Sequence, residues 1–262
     1  MPEGDTVWQA AARLRTALAG KALTVSDFRV PRYATVDLTP GPVEEVLSRG
    51  KHLLIRIGDA AVHTHLKMEG AWHVYPAGTR WRRPGWQARV LLGTDDFLAV
   101  GFQLGIVEVV PRADEAGVVG HLGPDLLGPD WDAGRAAANL AADPGRPIGL
   151  ALLDQRAMAG VGNVYRNELC FLRGVHPATP VAAAGELLDW AELAHRLLVA
   201  NRDRTVRVTT GDRRRGRTTW VYGRAGRQCL RCGTLVESGP LGDDAAPERQ
   251  IFWCASCQPA RT

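Results

Sequence analysis

Residues 154–168 read DQRAMAGVGNVYRNE and place Gly160, Gly162 and Asn163 between two segments of helical pattern. Two glycines followed by an asparagine indicate a tight turn whose backbone N–H groups open at the start of the second helix. A helix N-terminus of this kind is suited to bind a phosphate group. An ordinary glycine C-cap followed by an asparagine N-cap explains the same residues, so the stretch alone leaves both interpretations open.

Helical periodicity continues on both sides of this turn. The predicted helices of the second half are residues 131–142, 148–158, 164–172 and 186–203. Residues 205–227 are rich in threonine, glycine and arginine, and we predict a mobile loop there. Glycine and proline are frequent from 111 to 130, which predicts a linker or hinge in front of the helices.

Four cysteines near the end of the chain are spaced as Cys229-x2-Cys232-x21-Cys254-x2-Cys257. Two CxxC pairs supply four thiolates for one tetrahedral zinc ion, and four ligands close its shell, so the predicted zinc is structural. The gap between the pairs is longer than usual for this pattern, which a longer hairpin accommodates. Two disulfides or unrelated thiols are the alternatives. Arg249 lies inside the gap, where a loop would present it.

Before the linker, the hydrophobic pattern is that of short strands. The predicted strands are residues 52–57, 61–68, 89–92 and 97–102. Several short strands separated by glycine, proline and aspartate indicate a sandwich or barrel. Residues 5–18 predict an amphipathic helix with Asp5 as its N-cap. Its apolar stripe consists of Val7, Ala11, Leu14 and Leu18.

The N-terminal residues Met-Pro-Glu-Gly carry a possible nucleophile. Removal of the initiator methionine would expose the secondary amine of Pro2, and an α-amino group has a pKa of about 7.7–8.0 against about 10.4 for lysine. The positive end of the following helix lowers the fraction of protonated amine further. A neutral amine attacks a sugar C1′, and the adduct of proline stays a cationic iminium that favours β-elimination. Glu3 would then be the general acid/base. The alternative is that these residues only lead the chain into the helix, with Pro2 standing before its N-cap.

Lys51 follows Gly50 in SRGKHLLI, at the entry to a predicted strand, and is one of only three lysines with Lys21 and Lys67. A lone lysine in this place is suited to reach a phosphate, whereas the alternative is a solvated turn residue. Cys170 lies outside the four-cysteine set and is predicted to be a small core residue.

Composition supports a globular chain with a phosphate-rich partner. Hydrophobic residues make up 45% of the chain, and no apolar run approaches the length that spans a bilayer. No secretory signal is recognisable, so we expect a reducing cytoplasm, where cysteines serve as thiols or metal ligands. The net charge is +4, but residues 201–262 carry twelve arginines and six acidic residues, a net of +6. A basic C-terminal quarter favours nucleic acid, although a solvated surface is the simpler explanation.

Taken together, MPEGDTV, GKHL, DQRAMAGVGNVYRNE and the terminal cysteines resemble the formamidopyrimidine-DNA glycosylase / endonuclease VIII family in order and spacing. The first segment is more similar to the endonuclease VIII branch. The resemblance implies an α+β fold: an N-terminal β-sandwich with an N-terminal helix, then a helical domain with a helix-two-turn-helix and a β-hairpin zinc finger. DNA would lie in the cleft between the domains. The implied boundaries are 1–115 for the catalytic sandwich, 116–130 for the linker, 131–222 for the helix-two-turn-helix domain and 223–262 for the finger.

The resemblance also implies the function and the site. A bifunctional DNA glycosylase and AP lyase flips a damaged base out of DNA, excises it and nicks the strand by β,δ-elimination. Its nucleophile falls on Pro2, its acid/base on Glu3 and its hairpin lysine on Lys51. Asn163 matches the turn asparagine that holds phosphate, and Arg249 matches the finger arginine beside the lesion. We expect one zinc ion, damaged DNA as partner, and a monomer associated with the nucleoid.

Two positions bear on the choice of lesion. HLKMEG at 65–70 offers Met68 as the apolar wedge that fills the gap after base flipping, with a strand core methionine as the alternative. Where oxidised-purine glycosylases of the family carry an Arg-Phe pair, this sequence has Gln103-Leu104. Oxidised pyrimidines are therefore the expected substrates.

Three other functions compete with this one. A non-catalytic DNA-binding protein on the same scaffold would keep Asn163 and the finger but lose Pro2, Glu3 or Lys51, and all three are present. An oxidised-purine glycosylase would need its opposite-base contacts from another loop, for which 205–227 contains enough arginine. A zinc-finger transcription factor explains only the C-terminal cysteines.

Overall fold

The computed structural model describes residues 2–244 and 246–259, and it separates into two compact units, Met1–His121 and Leu122–Thr262. The division lies inside the segment 111–130 that is rich in glycine and proline. The α+β fold class predicted from the sequence is confirmed, with the sandwich in the first unit and the helices in the second.

The first unit consists of helix α1 and two antiparallel four-stranded sheets. Its elements are α1 (Gly4–Leu18), β1 (Val25–Phe28), β2 (Val43–Arg49), β3 (His52–Ile57), β4 (Ala60–His65), β5 (Ala71–Pro76), β6 (Ala88–Gly93), β7 (Phe97–Phe102), β8 (Ile106–Pro111) and α2 (Glu115–Val119). The strand orders are β2-β3-β4-β8 and β1-β6-β7-β5. Leu53 and Ile55 of the first sheet share a buried cluster with Val90 and Leu92 of the second, so the sheets enclose the core of a sandwich.

Helix α1 starts one residue earlier than the sequence predicts. Its N-cap is Glu3, whose carbonyl oxygen accepts the N–H groups of Thr6 and Val7 at 3.0 and 3.1 Å. The predicted cap, Asp5, lies in the first turn instead, where its carboxylate accepts the N–H of Thr6 at 2.7 Å. The predicted apolar stripe is confirmed, since Val7, Ala11, Leu14 and Leu18 are all buried.

All four predicted strands are present, but four others were missed. The missed strands are β1, β2, β5 and β8. Three of these, β1, β2 and β8, mix charged and apolar residues, as in VEEVLSR of β2, and many of their residues are only partly buried. The predicted strand 61–68 ends at His65, since residue 66 begins a turn in which Lys67 has a φ of +52°.

The second unit contains four helices and a β-hairpin within its described residues. They are α3 (Ala133–Leu140), α4 (Ile148–Ala151), α5 (Asn163–Arg173), α6 (Leu187–Asn201), β9 (Val236–Asp243) and β10 (Ala246–Cys254). Helix α4 is much shorter than the predicted 148–158. Asp154 accepts the N–H of Arg156 with its own side chain at 2.9 Å, and this local bond competes with helix formation. Residues 152–162 connect α4 to α5 without forming a helix or strand, in agreement with the helix-two-turn-helix that the family resemblance implies.

Candidate active site and metal centre

Pro2 and Glu3 lie at the N-terminus of α1. Pro2 is half-buried, and Glu3 is fully buried at 0% exposure. The backbone N–H of Glu3 donates to Thr6 Oγ1 at 3.4 Å, which ties the first residues to the first turn of the helix. An amine at residue 2 would therefore stand at the positive end of the helix dipole, which disfavours its protonation. Met1, whose removal this chemistry requires, lies outside the described residues.

Lys51 lies in the two-residue turn of the β2–β3 hairpin, in which Arg49 pairs with His52. Gly50 precedes it with a φ of +57°, a conformation that glycine adopts without strain. The turn fixes the backbone of Lys51 within the hairpin, so the point from which its side chain extends is also fixed. Half-burial of Lys51 is consistent with a positioned side chain.

Beside this hairpin, a hydrogen-bonded chain connects two histidines and a carboxylate. Glu108 Oε2 lies 2.8 Å from His63 Nδ1, and His63 Nε2 lies 2.8 Å from His52 Nδ1. A carboxylate oxygen of Glu108 accepts a hydrogen bond from Nδ1–H of His63, so His63 Nε2 must accept and His52 Nδ1 must donate. The Nε2 atom of His52 is then left with its lone pair. The chain thus selects one tautomer for each ring.

Two further histidines face the same ring. The centroids of His65 and His121 lie 5.1 and 6.2 Å from that of His52. Burial, with the nearby positive groups, lowers the pKa of His52 to about 3 and that of His65 to about 4. Both rings are therefore neutral at neutral pH. Sequence reasoning missed this cluster, although His63 and His65 two residues apart in a strand must share a face.

Met68 and Gln103 occupy neighbouring turns of the first unit. Met68 is 62% exposed and outside any strand, so it is not a strand core residue. Gln103 donates from Nε2 to Glu69 Oε2 at 3.4 Å. Lys67 and Gln103 have φ values of +52° and +47°, in the left-handed region that residues other than glycine adopt infrequently. Leu104 is buried in the sandwich core, so its side chain is not available on the surface.

In the second unit, Asn163 and the hairpin strand that bears Arg249 come together. Asn163 is the first residue of α5 and Gly162 is the N-cap. The Asn163 side chain donates to the carbonyl oxygen of Gln250 at 3.1 Å, and its own oxygen accepts from Arg166. Arg249 is half-buried and directly precedes Gln250 in the chain. The structure therefore brings two predicted phosphate contacts to one place.

Glu168 anchors the arginine-rich segment that follows α6. It is fully buried, and its carboxylate accepts the backbone N–H groups of Trp220, Val221 and Tyr222 at 2.8 to 3.0 Å and the hydroxyl of Thr209. Burial raises its pKa, and these four donors hold back part of the rise. The predicted loop 205–227 contains no helix or strand, but the carboxylate of Glu168 binds both Thr209 and residues 220–222 within it. The sequence feature that could have indicated this anchor is Glu168, an acidic residue inside a predicted helix.

The four terminal cysteines converge. Their Sγ atoms all lie within 4.8 Å of one another, with Cys232 3.4 Å from Cys254 and 3.5 Å from Cys257. Zn–S bonds of about 2.3 Å in a tetrahedron place the sulfurs about 3.8 Å apart, so the set fits such an ion. None of the four forms a disulfide. Cys170, outside the set, is fully buried, which raises the pKa of its thiol to about 12 and confirms it as a core residue.

Comparison with known proteins settles the family. Residues 1–103 match the formamidopyrimidine-DNA glycosylase N-terminal domain, and residues 122–197 match the formamidopyrimidine-DNA glycosylase H2TH domain. The chain is 58% identical to the probable endonuclease 8 2 of Streptomyces coelicolor, over 98% of this chain and 94% of that protein. The chain belongs to the formamidopyrimidine-DNA glycosylase / endonuclease VIII family.

Within this family, other relatives carry related names. The chain is 55% identical to the DNA-(apurinic or apyrimidinic site) lyase Nei2 of Mycolicibacterium smegmatis, over 99% of this chain and 100% of that protein. A solved structure of MutM in complex with DNA containing carbocyclic 8-oxo-G has a TM-score of 0.78 at 21% identity and covers 98% of this chain and 100% of its own. At that identity the likeness shows the family fold.

The helices of the described residues, 2–244 and 246–259, include none with the length and apolar character needed to cross a bilayer.

Proposed function

We propose that this protein is a bifunctional DNA glycosylase and AP lyase of base-excision repair that acts on damaged DNA as a monomer. The observation that carries the proposal is the pair Pro2-Glu3 at the start of α1, with Glu3 fully buried beside the residue whose amine would react. The names of the endonuclease 8 and AP lyase relatives support it. In this proposal residues 1–115 form the catalytic domain, and 131–222 and 223–262 bind DNA.

The reaction begins at the sugar of the damaged nucleotide. The Pro2 nitrogen attacks C1′ while the C1′–base bond breaks, and the base leaves with the bonding electrons and with the proton that the Pro2 nitrogen loses. Glu3 delivers a proton to O4′ as the C1′–O4′ bond opens, which leaves a cationic iminium between C1′ and Pro2. The iminium accepts electrons when C2′ loses a proton and the C3′–O bond breaks. Loss of the C4′ proton then breaks the C5′–O bond, and water releases Pro2.

Lys51, Asn163 and Arg249 are proposed to hold phosphates. Lys51 lies on a rigid hairpin turn, and Asn163 lies at the N-terminus of α5. Arg249 lies in β10 next to Gln250, whose carbonyl oxygen accepts a hydrogen bond from the Asn163 side chain. A guanidinium donates two parallel hydrogen bonds to a phosphate, and a helix N-terminus adds backbone N–H groups.

The metal is proposed to be one structural zinc ion held by Cys229, Cys232, Cys254 and Cys257. Four thiolates saturate a tetrahedral ion, which then stabilises the local fold and takes no part in the reaction. The distances between the sulfurs support this assignment.

Oxidised pyrimidines are proposed as the preferred lesions. Reading the opposite base needs donors that reach its edge and a planar group that stacks beside it. Gln103 is turned to Glu69, and Leu104 is buried, so neither supplies a stacking surface. The exposed Met68 fills the space left by the flipped base without reading sequence. Single-turnover excision of thymine glycol, 5-hydroxycytosine and 8-oxoguanine opposite each normal base tests this. Faster excision of 8-oxoguanine opposite cytosine would assign the enzyme to oxidised purines.

The nucleophile is tested by reductive trapping. Borohydride should reduce the iminium and leave a stable protein–DNA adduct, and peptide mapping should place it on residue 2. The chain has only three lysines, Lys21, Lys51 and Lys67, so every competing side-chain amine can be checked. Pro2→Gly should trap far less DNA, whereas Pro76→Gly, at the end of a strand, should trap as wild type. An adduct on a lysine would refute the assignment of Pro2.

A further inference from the structure

The loop between β5 and β6 contains RWRRPGWQ at residues 80–87, which the catalytic proposal does not use. We name it the basic-aromatic loop. Strands β5 and β6 both pair with β7, β5 ending opposite Phe97 and β6 beginning opposite Phe102. The loop must therefore run along the whole of β7. It does so on the outer face of the sheet, since Trp81 packs on the cluster of Phe102 and not on the core between the sheets.

Specific contacts order this loop. The Trp81 ring lies edge-on to Phe102 with centroids 6.0 Å apart. The N–H of Arg82 donates to the Tyr75 hydroxyl at 3.2 Å, and the carbonyl oxygen of Gln87 accepts the N–H of Gln103 at 2.8 Å. The last contact joins the loop to the turn beside Met68. The basic side chains are therefore displayed from a fixed backbone.

The charges of the loop are not neutralised. No carboxylate of the described residues pairs with the guanidinium groups of Arg80, Arg82 or Arg83. Arg80 and Arg82 line a groove of about 530 Å³ together with Arg13 of α1 and His73 of β5. Burial lowers the pKa of His73, and the positive charges of Arg83, Arg13 and Arg82 lower it further. The lowered pKa therefore reports positive charge from several arginines at one place. Such a field attracts phosphate groups.

Trp86 adds an exposed aromatic surface to the same loop. Its side chain is 72% exposed, the largest value among the exposed large hydrophobic side chains of the described residues. It belongs to the short 3₁₀ turn Gly85–Gln87, whose last residue is bonded to Gln103. An exposed indole on a fixed turn offers a face on which an unpaired base can stack, and base–aromatic stacking tolerates any sequence.

We propose that the basic-aromatic loop binds single-stranded nucleic acid, with Arg80, Arg82 and Arg83 on phosphates and Trp86 stacked on an unpaired base. A duplex satisfies the arginines but leaves the indole without a partner, because paired bases are already stacked. An acidic protein surface satisfies the arginines but offers no unpaired base to stack on the indole. This binding needs no lesion and no Pro2 chemistry, so it stands apart from the proposed enzymatic function.

The arginines are tested with undamaged oligo(dT) of about 16 nucleotides, the upper end of known single-strand site sizes. The full-length protein carrying Arg80→Ala, Arg82→Ala and Arg83→Ala should bind at least tenfold more weakly. The slope of log affinity against log salt should fall by about 2, since each lost phosphate contact contributes about 0.7. Arg32→Ala, which removes an exposed arginine packed on Tyr33 in the same unit, is the control and should bind as wild type. An unchanged affinity and slope in the triple variant would overturn the proposal.

The stacking is tested separately. Trp86→Ala should weaken oligo(dT) binding by about 5- to 150-fold, the measured range for one stacked base, and Trp86→Phe should restore most of it. An oligonucleotide of 5-iodouracil, cross-linked to the unaltered protein by light, should label the peptide that contains Trp86. Equal binding by Trp86→Ala, or labelling confined to other peptides, would refute it. Borohydride trapping on a lesion duplex should be unchanged in the Trp86 variants, so a failure here is distinguishable from a failure of the catalytic proposal.

Discussion

The anchoring of the 209–222 segment by Glu168 can be tested by removing one or both carboxylate oxygens. Oε1 accepts the N–H groups of Val221 and Tyr222, whereas Oε2 accepts the N–H of Trp220 and the hydroxyl of Thr209. Glu168→Gln keeps an acceptor at one of the two positions and places an amide NH₂ at the other. Glu168→Ala removes both.

The magnitudes follow from counting the donors that lose their acceptor. In Glu168→Gln the less costly orientation places the amide nitrogen at the Oε2 position, because Oε1 serves two N–H groups. The Thr209 hydroxyl can then turn to the carbonyl oxygen of Thr218, 3.2 Å away, so only the N–H of Trp220 is left unpaired. One buried unpaired N–H costs about 1–3 kcal/mol. In Glu168→Ala three N–H groups lose their acceptor, so the free energy of unfolding should fall by at least about 3 kcal/mol unless the segment detaches and bonds to water.

The assay is urea unfolding combined with amide hydrogen exchange. The loss of stability should rank wild type, Glu168→Gln and Glu168→Ala in that order, and exchange at Trp220, Val221 and Tyr222 should speed up in the same order. Glu192→Gln is the matched control, because Glu192 is half-exposed and pairs with Arg196 along α6, a contact worth less than about 0.5 kcal/mol. If Glu168→Gln loses no more stability than this control, and exchange is unchanged, the carboxylate does not hold the segment.

Three other predictions concern the metal, the phosphates and pH. Chelation should remove about one zinc ion per chain and unfold the hairpin locally, as seen by exchange in β10; a metal-free protein with an intact hairpin would contradict this. Asn163→Ala and Arg249→Ala should each weaken DNA binding, with a smaller salt slope only for the arginine variant, and equal affinity at two salt concentrations would remove both residues from the DNA surface. Because folding lowers the pKa of His52 and His65 to about 3 and 4, the unfolded chain binds more protons below pH 6.5. Stability should therefore fall from pH 6.5 towards 4, by up to about 1.4 kcal/mol per pH unit for each ring, and urea unfolding of His65→Gln should show a shallower fall.

The features that the sequence predicted well depend on residues close together in the chain. The apolar stripe of α1 follows from helical spacing within fifteen residues, and its burial is confirmed. The two CxxC pairs each place two sulfurs on one tight turn, so only their meeting had to be inferred, and the four Sγ atoms do converge. The roles of Pro2 and Glu3 stay predictions until the amine is trapped.

The sequence by itself determined the N-terminal helix, the series of short strands, the helical second half and the two CxxC pairs, since each is written in local spacing. The helix-two-turn-helix was implied by the family resemblance. Only the tertiary structure decided which distant side chains meet. The chain Glu108–His63–His52 crosses three strands and depends on their register, and a one-residue slip would turn its members to the other face. Asn163 meets the carbonyl of Gln250 across 87 residues. Such pairings are set by how whole elements pack, because the energy that selects them is spread over the core and is absent from any short segment.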